Sequence, residues 1–308
     1  MIPILDITIV TYNRLEKLKH ALKCYEKQTN AFRNLIIVDN CSTDGTHEFL
    51  TDYCSLNHKQ FNPILITSKE NLGGSGGFYL GEKKAMEQNA DWVMVADDDA
   101  YAAPDMVEQF YKYVETHDVN KTAAVCAAVY NSDMSINTYH RRVISIHKHT
   151  LFNSHGVNNK EYTKDMFNID LTSYVGSFLN IKALNKVGMV NPNFFIYHDD
   201  TEHSLRLKKY GTLVTVPLIQ IIHDDENNTN KTGDSIAHWK LYYLKRNHMH
   251  MLIKHFPMCV IKDYVFQLRC TIGAWLHHPK MNIYEKIERD AMWDAFWRRM
   301  GKSKKYHP

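Results

Sequence analysis

Trp92-Val93-Met94-Val95-Ala96 runs directly into three consecutive carboxylates, Asp97-Asp98-Asp99. An apolar run bounded by polar residues predicts a buried central strand. Ligands of open α/β sheets bind beyond the carboxyl ends of such strands. Alternation along a strand sets Asp97 and Asp99 on one side and Asp98 on the other. Two carboxylates about 4 Å apart repel by roughly 4 kcal/mol at an effective dielectric near 20, so a cluster of three calls for a cation, and a divalent metal neutralises it most simply. The same residues would also suit an acidic turn ahead of a helix near Pro104. Metal binding is the stronger reading.

Further stretches carry chemistry of their own. Asn71-Leu72-Gly73-Gly74-Ser75-Gly76-Gly77-Phe78 holds four glycines in five positions. Backbone amides so exposed beside a helix start approach a phosphate or sugar closely, although the spacing fits neither the dinucleotide fingerprint nor the P-loop. Asp39 ends a second apolar run at 35–38. A carboxylate there can accept from a base or ribose, or close a turn on its own backbone. His198-Asp199-Asp200-Thr201-Glu202 opens a helix. Asp199 and Glu202 read as a capping box, and the acid pair could equally supply a general base. His223 ends the apolar run 214–222, and an imidazole added to carboxylates suits Mn²⁺ or a related ion. Arg246, in Tyr242-Tyr243-Leu244-Lys245-Arg246-Asn247, has the reach for a diphosphate, or a place on the polar face of a helix.

The elements that must position these residues are legible from periodicity. Strand patterns at 4–11, 35–38, 64–67 and 90–96 alternate with helical ones, among them 15–27 and about 77–88. Four alternations within 115 residues predict a parallel, doubly wound sheet. Residues 131–170 are polar and suit hairpins or a loop. Strands are expected at 174–181 and 213–222, helices at 183–187 and 199–209, and a largely helical end at 236–255, 260–276 and 283–300. The chain of 308 residues therefore divides into a domain at 1–235, with a nucleotide part to 130 and an acceptor part at 131–235, and a helical region at 236–308. No apolar run reaches the ~18 residues of a membrane span, and no signal peptide is evident. Six cysteines without CxxC spacing fit a reducing cytoplasm. From Ile236 onward Lys and Arg outnumber Asp and Glu by 14 to 5, while the whole chain carries +3. The front half is acidic, which suits a cation site; the basic rear suits an anionic partner.

Together these segments resemble the inverting glycosyltransferases of family two, with a GT-A fold, and most closely their bacterial galactofuranosyl- and rhamnosyltransferase branch. The likeness covers roughly residues 4–250. It rests on Thr11-Tyr12-Asn13-Arg14, Val38-Asp39-Asn40, the glycine-rich stretch 71–78, Asp97-Asp98-Asp99, His198-Asp199-Asp200, His223 and the stretch from Tyr242 to Asn247. The glycine-rich and Tyr-Tyr-x-x-Arg-Asn segments are the more specific. The resemblance implies an α/β, Rossmann-like, mostly parallel sheet flanked by helices, with the helical region behind it. It implies a nucleotide-sugar donor, UDP-galactofuranose ahead of dTDP-rhamnose, held by Thr11, Asn13, Arg14, Asn71, Gly73, Gly74, Asp97, Asp98 and Arg246, with Asp39 on the base.

It further implies Mn²⁺ or Mg²⁺ on Asp97 and Asp99, helped by His223, and Asp200 as catalytic base. Gly76, Gly77, Phe78, Tyr174, His198 and Asp199 would surround the donor sugar and acceptor. The acceptor would be a glycan or lipid-linked oligosaccharide of a bacterial surface polysaccharide such as O-antigen or capsule, built in the cytoplasm; no nucleic acid is implied. Trp275, Trp293, Phe296 and Trp297, interleaved with Arg298, Arg299 and Lys302, suit peripheral contact with a membrane, or a helix packing its aromatics on the domain. Two positions depart from the mycobacterial galactan polymerases of the branch: Tyr174-Val175 replaces a tandem Trp, and Leu244 replaces a His. Both bear on acceptor choice and processivity. A sugar-nucleotide pyrophosphorylase and a non-catalytic nucleotide-sugar binder are the rival classes.

Overall fold

The computed structural model describes residues 2–147, 151–224, 236–277 and 282–307. Its first half is β1 (Leu5–Thr11), α1 (Leu15–Glu26), β2 (Asn34–Asp39), α2 (Thr46–Ser55), β3 (Asn62–Thr67), α3 (Gly73–Glu87) and β4 (Trp92–Asp97). Every residue of β1 and β2 is buried, Asp6, Thr8 and Asn34 included, as strands covered on both faces must be. These four strands are parallel in the order β3-β2-β1-β4. Then follow β5 (Ala100–Ala102), α4 (Met106–Thr116), β6 (Thr122–Tyr130), β7 (Arg141–His147), β8 (Leu151–Gly156), β9 (Phe167–Ile169), β10 (Leu171–Thr172), β11 (Ser177–Asn180), α5 (Ile181–Val187), α6 (Asp199–Leu207) and β12 (Thr212–His223). The sheet continues β4-β11-β6-β12-β5, with β11 antiparallel to both its neighbours. One core lies between the sheet and α1 and α4, around Leu18, Leu22, Met106 and Phe110. A second lies under α3 and α5, around Phe78, Ala85, Ala183 and Leu184. The polar stretch expected as hairpins contains the antiparallel pair β7–β8, which β10 extends to a small second sheet.

Register decides which side chains meet at the sheet's edge. Asp97 pairs with Val10, and Thr11 with Asp39. β12 changes partner along its length, from β9 beside Leu213–Thr215 to β5 beside Ile221–His223, and it shifts register between Val216 and Gln220. Pro217 sits in that shift, where a strand residue unable to donate is tolerated. The result sets His223 opposite Ala100, one residue past Asp99.

The glycine-rich stretch departs from expectation. α3 begins at Gly73, so the glycines form its first turns and are not a loop ahead of it. A Cβ at Gly77 would collide with Val10, one at Gly81 with Thr8, and one at Gly73, left-handed at φ +71, with the carbonyl of Phe195. Missing side chains let the helix lie directly on β1. Gly73→Ala is therefore expected to lower stability by about 2–3 kcal/mol. Gly74→Ala, whose Cβ meets nothing closer than Phe78 at 4.0 Å, stays within about 0.5 kcal/mol of wild type. Urea midpoints of the two variants check the contrast.

α7 (His238–His255), α8 (Pro257–His277) and α9 (Ile283–Phe296) form the C-terminal region. Tyr242 and Tyr243 of α7 pack on Ile287 and Ala291 of α9. Among the described residues no helix is long and apolar enough to cross a membrane. Trp293, Phe296 and Trp297 are each at least half exposed; Phe296 meets both tryptophans edge-on and Tyr264 of α8 as well. The side chain of Trp275 lies outside the described residues.

Candidate active site

Asp97, Asp99 and His223 each offer a ligand atom, and these atoms lie within 4.8 Å of one another. β4 ends at Asp97, Asp99 follows in the turn, and β12 delivers His223, whose Nε2 is 3.3 Å from Asp99 Oδ1. Asp98 turns away: its Oδ2 accepts the Thr11 hydroxyl at 2.7 Å and its Oδ1 meets Arg14 Nη1 at 3.1 Å. The same Arg14 nitrogen reaches Asp99 Oδ2 at 2.6 Å, and Lys17 stands 3.9 Å from that oxygen. Burial pushes Asp97 up to about 8, with the charges of Asp99 and Asp98 adding to the effect. Burial likewise raises Asp98 to about 6 against the pull of Arg14. Asp99 is held below the ordinary carboxylate range, because the His223 hydrogen bond, Arg14 and Lys17 outweigh its burial. Arg14 and Lys17 thus pair with Asp99, while His223 and Arg14 offset only part of the rise at Asp97. Two carboxylates and an imidazole form a donor set that fits Mn²⁺ or Mg²⁺.

A second acid cluster begins α6. His198, left-handed at φ +61, is the N-cap residue, and Asp199 is already helical. The expected capping box does not form. Glu202 is instead fully buried and bound by Arg206 at 2.9 Å, Lys254 at 2.7 Å and His255 at 3.0 Å. Asp199 is raised to about 7 by burial and by the neighbouring charge of Asp200. Asp200 is also raised by burial, while Arg142 and the Thr201 amide and hydroxyl hold it down.

Two contact paths join the clusters. His140 meets His223 edge-on at 4.9 Å, and two residues later Arg142 donates to Thr201 Oγ1 at 2.8 Å, beside Asp200. On the other side the Ser75 amide of α3 donates to Phe195 O at 3.1 Å, and α3 rests through Gly77 on Val10, the partner of Asp97. One acid group forms the prospective metal cluster, and the other sits at a helix start joined to it by these contacts.

Residues 6–188 match the family model described as Glycosyl transferase family 2. The chain belongs to that family. Its relatives include Galactofuranosyltransferase GlfT1 of Mycobacterium tuberculosis (strain H37Rv), 38% identical over 99 residues, or 30% of this chain and 30% of that protein. GlfT1 of Mycolicibacterium smegmatis is 26% identical over 231 residues, 71% of each. The dTDP-rhamnosyl transferase RfbF of Shigella flexneri is 26% identical over 268 residues, 84% of each. Against the M. tuberculosis relatives the match spans less than a third of their length. Among solved structures, GalNAc-T7 with UDP, GalNAc and Mn²⁺ superposes with a TM-score of 0.63 at 13% identity, covering 96% of this chain and 56% of that one. The mannosyltransferase PcManGT from Pyrobaculum calidifontis, in complex with GDP-Man and Mn²⁺, gives 0.57 at 13%, covering 96% and 88%. The shared feature is the GT-A fold.

Within this family 2 chain, several residues expected at the site are placed elsewhere or do other work. Arg246 is buried, and its guanidinium donates to Gly301 O at 2.6 Å and Phe194 O at 3.1 Å, so it braces backbone and does not face a diphosphate. Gly76, Gly77 and Phe78 are buried packing residues of α3. Tyr174 is buried against Phe78, with its hydroxyl on Glu82 and His203. By contrast Thr11, Asn13, Arg14 and Asp39 gather where the turns after β1 and β2 meet: Asn13 Oδ1 accepts the Thr43 amide at 2.7 Å and Asp39 Oδ1 the Ser42 amide at 2.9 Å. Asn71 Oδ1 accepts from Asn40 at 3.2 Å and from the Gly73 amide at 2.8 Å, tying α3 to that turn. Lys17, His140 and Arg142 carry no signal in the sequence. Lys17 lies in an ordinary amphipathic helix, and Arg142 in a stretch without periodicity.

Proposed function

We propose that this chain is a metal-dependent, inverting glycosyltransferase. It transfers galactofuranose from UDP-galactofuranose to a glycan or lipid-linked acceptor in bacterial surface polysaccharide synthesis. The carrying observation is the ligand cluster of Asp97, Asp99 and His223, which contacts through His140 and Arg142 link to Thr201 beside Asp200. Asp97, Asp99 and His223 would hold Mn²⁺ or Mg²⁺, which when bound supplies charge that stabilises a departing diphosphate. Thr11, Asn13 and Asp39 take the nucleoside, and Arg14 orders Asp98 and Asp99, of which Asp99 would hold the cation that meets its diphosphate end. Asp200 accepts the proton of an acceptor hydroxyl as that oxygen attacks the anomeric carbon opposite the leaving group. One displacement of this kind inverts configuration. Thr201 fixes Asp200 Oδ1 and so orients the carboxylate. Exposed Trp293, Phe296 and Trp297, beside Arg298, Arg299 and Lys302, support peripheral seating on an anionic membrane at the cytoplasmic face.

Transfer from dTDP-rhamnose is the second reading, favoured by the rhamnosyl transferase match over 84% of the chain. Offering purified protein a panel of nucleotide sugars with Mn²⁺, and reading released UDP or dTDP, separates the two. Release from no sugar nucleotide would remove both.

Asp200 must be ionised to act, and its carboxyl sits above the ordinary range. Activity therefore rises with pH through that raised value. Arg142→Gln removes a charge that favours the carboxylate, so the acid limb of kcat/KM moves up by about one unit. A limb that does not move would show that Arg142 leaves the base untouched.

A further inference from the structure

We infer that the cavity between α7 and α9 seats the apolar aglycone of the acceptor, a hydrocarbon chain carried beside the reacting hydroxyl. This deepens the transferase reading and rests on it. The cavity measures about 400 Å³ and is lined by Leu241 and Leu244 of α7 and Tyr284 and Ile287 of α9, within the range of small-molecule sites. Leu244 is 38% exposed and Tyr284 40%, large apolar side chains turned to open space beside a packed interface. At one end stands His198, its ring 5.1 Å from that of His248. His198 immediately precedes Asp199 and Asp200, so the cavity opens where the proposed base begins.

The polar groups at that end favour a hydrocarbon neighbour. Burial, with His248 and Arg142 nearby, lowers His198 to about 3, so its imidazole is neutral at physiological pH. Lys245 and Glu288 at the rim pair at 3.3 Å and cancel one another. The floor is also rigid. Asn247 Nδ2 donates to the carbonyls of Phe194, Ile196 and Tyr197, fixing the turn in which Phe195, Tyr197 and His198 all have positive φ. An apolar wall, an uncharged end and a braced turn leading to a carboxylate are what an acceptor with a greasy tail requires.

The full chain with Mn²⁺ is titrated calorimetrically with decyl phosphate and with ethyl phosphate, below micelle-forming concentrations. The common head group cancels, so the ratio reports the chain. Decyl phosphate should bind at least tenfold more tightly. Leu244→Glu should lower decyl phosphate affinity at least tenfold, with UDP binding unchanged as evidence of an intact fold. Leu268→Glu, on the exposed face of α8, should change neither. Equal affinity for the two phosphates would overturn the inference, as would a loss caused by Leu268→Glu and not by Leu244→Glu. A chain that transfers sugar but ignores chain length loses only the cavity assignment. One that prefers decyl phosphate at this cavity but releases no nucleotide from any sugar donor loses the transferase reading itself.

Discussion

Asp200→Asn lowers turnover about 10³-fold while UDP binding in the presence of Mn²⁺ stays within about twofold, because a positioned general base contributes on the order of 10²–10⁴ to rate and little to ground-state nucleotide binding. The substitution keeps the size of the side chain and an oxygen for the Thr201 amide and hydroxyl, so α6 keeps its first turn. It removes only the charge and the basicity. Asp199→Asn provides the contrast. Asp199 is buried behind the helix start, so its loss should act on stability more than on rate. Equal turnover in wild type and Asp200→Asn would remove Asp200 from the chemistry. A larger loss for Asp199→Asn than for Asp200→Asn would transfer the role to its neighbour.

Stripping divalent ions should abolish transfer, and the same site should reveal itself in stability without any turnover assay. Burial and the charges of Asp99 and Asp98 push the Asp97 carboxyl up to about 8, so the metal-free site is electrostatically strained. A cation that binds only the folded chain stabilises it by about 2.7 kcal/mol at one hundred times its Kd. Wild type should gain that much with Mn²⁺, read as an upward shift in Tm. Asp97→Asn should melt higher than wild type in EDTA, since it relieves carboxylate repulsion, yet gain almost nothing from Mn²⁺. Its turnover should fall about 10³-fold, because charge stabilisation of the leaving group is worth several kcal/mol. Full activity in EDTA, or an undiminished Mn²⁺ shift in Asp97→Asn, would take the metal away from this cluster.

The rest of the machinery is a lesson in what spacing can and cannot say. The glycines of α3 were visible as a cluster, and backbone proximity was the right physical meaning. The object approached was β1 and the Phe195 carbonyl, which no spacing rule names. Asp199 with Glu202 matched a capping pattern, yet Lys254 and His255, more than fifty residues away, claimed Glu202. Arg246 was visible as a cation on a helix. Its burial among the Gly301 and Phe194 carbonyls depended on how α7 met the chain's end.

Local composition alone determined the strand that ends in Asp97, the alternation that builds a doubly wound sheet, and the acid pair at the head of α6. Each is a short-range matter of burial period and terminal polarity, and such patterns survive in one dimension. Tertiary structure decided which acid met which partner. β12 had to change neighbours and shift register before His223 could stand opposite Ala100 beside Asp99. β7, in a stretch with no period of its own, had to carry Arg142 to Thr201 and Asp200. Charge interactions depend on separations in space, and between residues 97 and 223, or 142 and 200, only the path of the folded backbone sets that distance.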